Sequence, residues 1–235
     1  MGRIFEKRKH KIFARNARLS KAFTKIGKEI AMAVKQAGPN PESNQKLRVA
    51  IQNAKGLNMP KDKVEAAIKR ASSKEEKDFQ EVIYEGYAPH GVPVLVECAT
   101  DNPTRTVANI RLHFSKNGGS MGTSGSVSFM FERKGIFKFP MGSLDLDALE
   151  LDLIDAGAED IEKGDEEIMI STKFTDFGTM QKFLESQKLE ATSAELQFLP
   201  TTTKELTEAE QDEVLKLVNA LEEDEDVQSV YHNVA

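Results

Sequence analysis

Apolar residues along residues 20–37 (SKAFTKIGKEIAMAVKQA) recur three and four positions apart: Leu19, Phe23, Ile26, Ile30, Ala33, Val34 and Ala37. At about 100° per residue they share one stripe of a helix, while Arg18, Lys21, Lys25, Lys28 and Lys35 fall on another. The pattern predicts an amphipathic helix with Ser20 as its N-cap, stopped by the Gly-Pro-Asn-Pro run at 38–41. A shorter basic helix is predicted before it, within residues 7–17. A further helix over 42–55 turns Leu47, Ala50, Ile51 and Ala54 inward and ends at Gly56 and Asn58. Pro60 opens the next one, which runs to Ala71 with Val64, Ala67, Ile68 and Ala71 in one stripe. The polar run SSKEEKD at 72–78 closes this helical region.

Beyond it the period changes. Residues 80–87 (QEVIYEGY) and 92–99 (VPVLVECA) read as strands joined by a Pro-His-Gly turn. Residues 103–117 read as a helix with Asp101 or Asn102 at its mouth and Gly118 at its end. A glycine-rich loop over 118–126 leads to a predicted strand at 127–132 (VSFMFE). Residues 134–199 then have an order of their own: strand 135–139, helix 144–156, strand 158–162, strand 167–172, helix 174–187 and strand 189–198. That is the β-α-β-β-α-β order of a ferredoxin-like unit. A helix over 207–221 and a strand over 227–232 are left without partners unless they return to the first sheet. The expected fold is α+β and multidomain: a basic helical bundle at 1–77, an α+β domain at 78–132 plus 204–235, and a ferredoxin-like domain at 133–203 inserted into it.

Charge sharpens this division. The net charge of −6 over 235 residues conceals a split. Residues 1–77 hold 20 Lys and Arg against 7 Asp and Glu, a net of +13, and residues 78–235 hold 12 against 31, a net of −19. Such asymmetry between parts of one chain points to a polyanionic partner. No apolar run approaches 18 residues, so a membrane-spanning helix is excluded. The basic N-terminus lacks the apolar segment of a secretory signal. A lone cysteine, Cys98, excludes a disulfide framework and a multi-cysteine zinc site, and makes the cytoplasm the expected compartment.

The cations offer themselves for phosphate contact, because neutralising a phosphate backbone releases counterions. The candidates are Lys7, Arg8, Lys9, Lys11, Arg15, Arg18, Lys21, Lys25 and Lys28, with Lys61, Lys69 and Arg70 as a second group. Phe5, Phe13 and Phe23 are the only aromatics of this region, and Phe23 reads as core, so base stacking is unsupported. The loop at 118–126 lacks the Gly-Lys-Ser/Thr ending of a nucleotide-binding P-loop. It is expected instead to be an exposed, mobile loop with Met121 at its tip, and Gly119, Met121, Gly122, Thr123 and Ser124 are its candidate partner contacts. Asp101, Asn102 and Arg105 read as helix capping rather than catalysis. His10, His90, His113 and His232 have no metal-like spacing, with His113 packing or facing solvent, and Cys98 reads as a core thiol. The acidic runs at 145–155, 159–167 and 222–226 read as solvated faces whose field keeps nucleic acid off those domains.

Several segments together resemble the YebC/PmpR family of probable transcriptional regulatory proteins: Phe23-Thr-Lys-Ile26, Leu47-Arg-Val-Ala-Ile51, Asn58-Met-Pro-Lys61, Ala67-Ile-Lys-Arg70, Tyr84-Glu-Gly-Tyr87, Leu95-Val-Glu-Cys98, Thr100-Asp-Asn102, Arg105-Thr-Val107, Phe114-Ser-Lys116, Gly118-Gly119, Gly122-Thr123, Gly125-Ser-Val127 and Phe131-Glu132. The chain departs from the family's Gly-His-Ser-Lys-Trp opening, since residues 2–6 read GRIFE and there is no Trp; Lys9-His10-Lys11 and Ala14-Arg15 are candidates for the corresponding basic segment. The resemblance implies three domains, the third inserted into the second. It also implies a DNA-binding transcriptional regulator or, through the family's mitochondrial translational activator, a ribosome-associated factor that binds rRNA. Neither reading needs a cofactor, a metal or a membrane, and a monomer is the simplest assembly. Two other classes compete with them. An enzyme would need a convergent acid/base pair around 101–125, and a scaffold would use the acidic domains as its binding surface.

Overall fold

The computed structural model describes residues 2–73 and 78–235, with side chains from residue 19 onward. It forms two compact units, residues 1–77 and 78–235.

The first unit has three helices: α1 (Gly2–Ala37), α2 (Gln45–Gly56) and α3 (Lys61–Ala71). The predicted break at Ser20 does not exist. α1 is one helix of 36 residues, about 54 Å long at 1.5 Å per residue. No glycine or proline interrupts residues 3–26, so the capping potential of Ser20 has nothing to act on; its carbonyl instead accepts from Thr24 Oγ1 at 3.0 Å inside the helix. Ile26, Ile30, Ala33 and Val34 of α1 are buried against Leu47, Ala50 and Ala54 of α2 and Val64, Ala67 and Ala71 of α3. The alanines at these contacts let the helices approach closely.

α1 ends at Gly38, whose φ of +86° suits glycine. Asn44 then joins the two helices. Its side-chain oxygen caps α2 through Leu47 N–H at 3.0 Å, and its NH₂ donates to Ala33 O at 2.7 Å and Gly38 O at 2.8 Å. It is only 2% exposed. α2 ends at Gly56, as expected, and Asn58 two residues on takes the left-handed conformation at φ +55°. Pro60 stands at the N-cap of α3, one position before its expected place.

The second unit holds two four-stranded antiparallel sheets. The first sheet contains β1 (Gln80–Ala88), β2 (Val92–Thr100), β3 (Ser120–Met121) and β8 (Val227–His232), in the order β3-β1-β2-β8. Helices α4 (Pro103–Lys116) and α7 (Glu208–Glu222) belong to it. On β2, Val92, Val94, Val96 and Cys98 join Ile110 and Phe114 of α4 and Val214, Leu217 and Leu221 of α7 in one core. Leu95 points the other way, to Val127, Phe131, Phe198 and Tyr231. Burial on both faces explains why this strand is nearly all apolar.

The second sheet contains β4 (Phe131–Pro140), β5 (Ala158–Lys163), β6 (Glu167–Lys173) and β7 (Ser193–Pro200), in the order β5-β6-β4-β7. With α5 (Leu146–Asp155) and α6 (Phe177–Ser186) it keeps the expected β-α-β-β-α-β sequence. Gly135 lets the Phe177 ring lie against β4, where it stacks on Phe137 at 4.8 Å; a Cβ there would meet Phe177 Cδ2 at 2.6 Å.

One strand is misplaced by the sequence reading. Residues 127–132 are not a separate strand of the first sheet. Residues Ser128–Met130 form a 3₁₀ turn, and Phe131 already belongs to β4, where it pairs with Pro200. The first sheet takes its third strand from the glycine-rich loop instead, with Gly86 opposite Met121 and Tyr87 opposite Ser120.

Asn44→Ala removes an N-cap and leaves two carbonyls of the α1 terminus without their donor, so the helical unit should lose about 2–3 kcal/mol. Asn44→Asp keeps the cap and loses the donors, and should fall between. Urea unfolding followed by circular dichroism checks this; a loss under about 1 kcal/mol for the alanine variant contradicts the bridging role.

Candidate nucleic-acid interface

Lys21, Lys25, Lys28 and Lys35 follow one another at i, i+4, i+7 and i+14 on α1, within about 80° of arc. The buried face of the same helix carries Ile26, Ile30 and Val34. Lys21 and Lys35 are exposed, and Lys25 and Lys28 are half-buried; Lys25, Lys28 and Lys35 each have an interaction partner. The stripe is therefore a row of four lysines that spans exposed and half-buried positions. Lys7, Arg8, Lys9, Lys11, Arg15 and Arg18 lie outside the residues whose side chains are described; the α1 backbone that carries them is continuous with this stripe.

On α3, Lys61 makes an i,i+4 pair with Glu65 at 3.6 Å, with side chains 92% and 66% exposed, which screens it only weakly. Lys69 and Arg70 are exposed in the last turn, where the helix dipole favours cations. Phe23 is half-buried, with Lys63 Nζ 5.3 Å from its ring centre. The α1 periodicity does not single out Lys46, Lys55 and Lys63, which add exposed cations on α2 and α3. Arg48 serves the fold instead, donating to Pro41 O at 2.8 Å and Glu42 O at 3.2 Å.

The glycine-rich loop differs from its expected form. Met121 is not at an exposed tip; it is half-buried in β3 and packs on the core of the first sheet. Gly119 is wedged where a Cβ would meet Tyr87 O at 2.7 Å and Leu217 Cδ2 at 3.0 Å, and Gly122 donates to Glu85 O at 2.8 Å. Only Thr123, Ser124 and Gly125 form an exposed apex.

The loop is organised by Glu85, which is 5% exposed. Its Oε1 accepts from Gly125 N–H at 2.7 Å, and its Oε2 accepts from Val127 N–H at 2.7 Å and Ser128 N–H at 2.9 Å. Burial pushes its carboxyl up, but hydrogen bonds from these three amides and from the Ser128 side chain outweigh it, so its pKa lies below the ordinary value. Nothing local in the sequence marks Glu85 for this role, because its partners lie some 40 residues downstream.

The 101–105 cluster resolves as capping. Asn102 is the N-cap of α4, accepting from Arg105 N–H at 3.1 Å. Arg105 Nη2 donates to Asp101 at 2.9 Å and Asp226 at 2.7 Å. Asp226 also accepts from Thr106 Oγ1 at 2.8 Å and Thr100 Oγ1 at 3.3 Å, and is 6% exposed. The acidic run at 222–226 is thus not wholly a solvated face: Asp226 is interior, and Asp224 meets His113 Nε2 at 3.3 Å. His90 lies 2.9 Å from Glu213 and 3.6 Å from Glu210, a carboxylate contact that sequence spacing hides. Burial lowers the pKa of His232. Among the described residues no group of three His, Cys, Asp or Glu could hold a metal ion. Cys98 is buried.

A cationic three-helix unit followed by two antiparallel, helix-covered sheets defines a multidomain α+β protein with a lysine-rich helix. The chain belongs to the TACO1/YebC family: the N-terminal domain of that family matches residues 3–74, and its second and third domain match residues 79–234. The chain is 55% identical over 240 residues to a probable transcriptional regulatory protein of Anaeromyxobacter dehalogenans, covering all of both chains. It is 54% identical over 235 residues to one of Cytophaga hutchinsonii, covering 100% of this chain and 99% of that one. Among solved structures it is similar to a conserved hypothetical protein of Aquifex aeolicus, with a TM-score of 0.80 and 41% identity over 92% of this chain and 90% of that one.

Glu85→Gln puts an NH₂ group against amide donors and should destabilise the second unit by about 2–3 kcal/mol at neutral pH. The folded-state pKa of Glu85 lies below its unfolded value, so the carboxylate's contribution is complete above about pH 4.5 and is lost as pH falls through the folded value. Urea unfolding of both proteins should therefore converge on acidification, and a gap that stays constant down to pH 3 contradicts this role.

Proposed function

We propose that the chain is a nucleic-acid-binding regulator, most specifically a DNA-binding transcriptional regulator, and that it is not an enzyme. The observation that carries this reading is the lysine row Lys21, Lys25, Lys28 and Lys35 on one face of a 36-residue helix, in a region of net charge +13. A rigid cationic face meets phosphates without losing much conformational freedom and gains by counterion release. The names carried by the relatives support the regulatory part.

In this reading the division into 1–77, 78–132 plus 204–235, and 133–203 separates one nucleic-acid-binding domain from two acidic domains with other contacts. Lys7, Arg8, Lys9, Lys11, Arg15 and Arg18 extend the contact along α1, and Lys61, Lys69 and Arg70 add a second group. Thr123 and Ser124, at the apex of the glycine-rich loop, are the proposed partner contact there. No helix among the described residues is long and apolar enough to cross a membrane, and the proposed compartment is the cytoplasm.

The test is fluorescence anisotropy of the full chain with a 30-base-pair duplex, made once as DNA and once as RNA. Affinity should fall roughly a thousandfold between about 50 and about 200 mM salt if six or more phosphates are touched. Replacing Lys21, Lys25 and Lys28 together by Gln should lower the logarithmic salt slope by up to about 2.7, with unfolding by urea as the control for folding. Affinity that ignores salt contradicts the basic-face reading. A marked preference for the RNA duplex transfers it to ribosomal RNA.

A further inference from the structure

Helix α5 violates the rule for a helix that covers a sheet. Its inner face is ordinary: Leu146 and Leu153 are buried. Its outer face should be polar, yet Leu151 is 77% exposed and Ile154 52% exposed. The two stand at i and i+3, side by side on one surface. Around them the charge has a single sign. Asp147 and Asp155 lie four residues either side of Leu151, Glu150 lies four before Ile154, and all three are exposed. Residues 141–167 contain 11 Asp and Glu and one Lys. Among the described residues, none of Asp147, Glu150, Asp152 and Asp155 belongs to an ion pair, whereas Glu159 and Glu167 of the adjoining strands are paired with lysines.

We propose that the outer face of α5 is a docking surface for a basic amphipathic helix of a partner protein. The Leu151–Ile154 pair receives the partner's apolar stripe, and Asp147, Glu150 and Asp155 receive the lysines or arginines that flank it. Charge complementarity decides the occupant. A polyanion is repelled by this rim, and so is an anionic lipid surface. A purely cationic coil would satisfy the acids but would leave Leu151 and Ile154 in water. Only a ligand that carries apolar groups between cations matches both features, and an amphipathic helix presents them at the same i, i+3 and i+4 spacing. This surface is independent of the lysine stripe on α1, so the two activities are separable by mutation.

The experiment uses the full-length chain and two fluorescein-labelled synthetic peptides of 14 residues, each composed of Leu and Lys. In one the leucines follow i, i+3, i+4 spacing; in the other the same composition is scrambled so that no apolar face forms. Anisotropy should show the amphipathic peptide binding more tightly than the scrambled one. Replacing Leu151 and Ile154 together by Ser should weaken it at least about tenfold, since two exposed aliphatic side chains no longer become buried. Both residues are exposed, so the urea midpoint of this variant should match that of the unaltered protein, and nucleic-acid binding should be unaffected. Replacing Asp147, Glu150 and Asp155 by their amides should weaken the same peptide and flatten its salt dependence. Equal binding of both peptides, or equal binding by the serine variant, overturns the proposal. Sedimentation of the chain without peptide covers the remaining occupant: self-association abolished by the serine variant would show that a second copy takes this face, and would overturn the proposal in favour of a homo-oligomer.

Discussion

The first sheet of the second unit is complete only when the chain returns to it. β2 ends at Thr100 and its outer neighbour β8 begins at Val227, with the whole second sheet between them in sequence. Asp226 fixes that return. Its carbonyl accepts from Ala99 N–H at 2.8 Å, and its carboxylate takes Arg105 Nη2, Thr106 Oγ1 and Thr100 Oγ1. One buried residue thus sets β8 against β2 and ties the first turn of α4 to the strand before it. A buried carboxylate is tolerable only when every such partner is in place, and losing one costs far more than the pair gains. The entropy of closing a loop grows only logarithmically with its length. The long stretch from β4 to β7, which lies in sequence between β3 and α7, is therefore compatible with this closure, provided that Asp226 finds its donors.

From β2 the rest of the unit is built outward in two directions. Its even-numbered side chains meet α4 and α7, while Leu95 meets Val127, Phe131, Phe198 and Tyr231. The second contact joins the sheets, because Phe131 opens β4 and Phe198 lies on β7. Arg133 seals the seam: its guanidinium lies 4.9 Å from the Phe174 ring and 5.4 Å from the Phe198 ring, and its Nη2 is 3.9 Å from Glu97. Glu97 in turn accepts from the Tyr231 hydroxyl at 3.2 Å. Burial raises the pKa of both Glu97 and Tyr231 at this junction.

What could be read in the sequence was what depends on period and on near neighbours. The stripe from Phe23 to Val34, a cap at Asp101 or Asn102, the Pro-His-Gly turn and the strand-helix order of 134–199 all have local causes, and all stand in the structure, with Asn102 as the cap. What escaped depends on contacts between distant residues. Val127 to Phe131 alternates like a strand, but Glu85 takes the Val127 and Ser128 amides that a ladder would need, and the chain turns before β4 begins. Met121 resembled a loop tip because nothing nearby in sequence shows that Gly86 leaves room for β3 beside Phe114. Asp226 was hidden in a run of acids of which Glu222, Glu223 and Glu225 face water. Ser20 misled in the opposite sense: it has the chemistry of a cap, but a cap requires an end, and no breaker supplies one. The lysine side of the candidate site was legible as a helical stripe; the packing that half-buries Lys25 and Lys28 was not.

The charge segregation gains meaning from the two surfaces together. A chain with its cations evenly spread would offer a polyanion many weak footholds, each screened within roughly 8 Å at physiological salt. Here the cations are gathered on helices, and the acids on the sheet unit leave a phosphate backbone no comparable foothold. Specificity arises from repulsion as much as from attraction. The acids around Leu151 and Ile154 act in the same way. An apolar pair on a neutral surface would invite any exposed hydrophobe, including another copy of the chain. Set among carboxylates, it penalises neutral and anionic partners, because docking would bury charges without compensation. In the proposed reading, the same carboxylates that would repel nucleic acid from the second unit would therefore also narrow what protein surface can approach it.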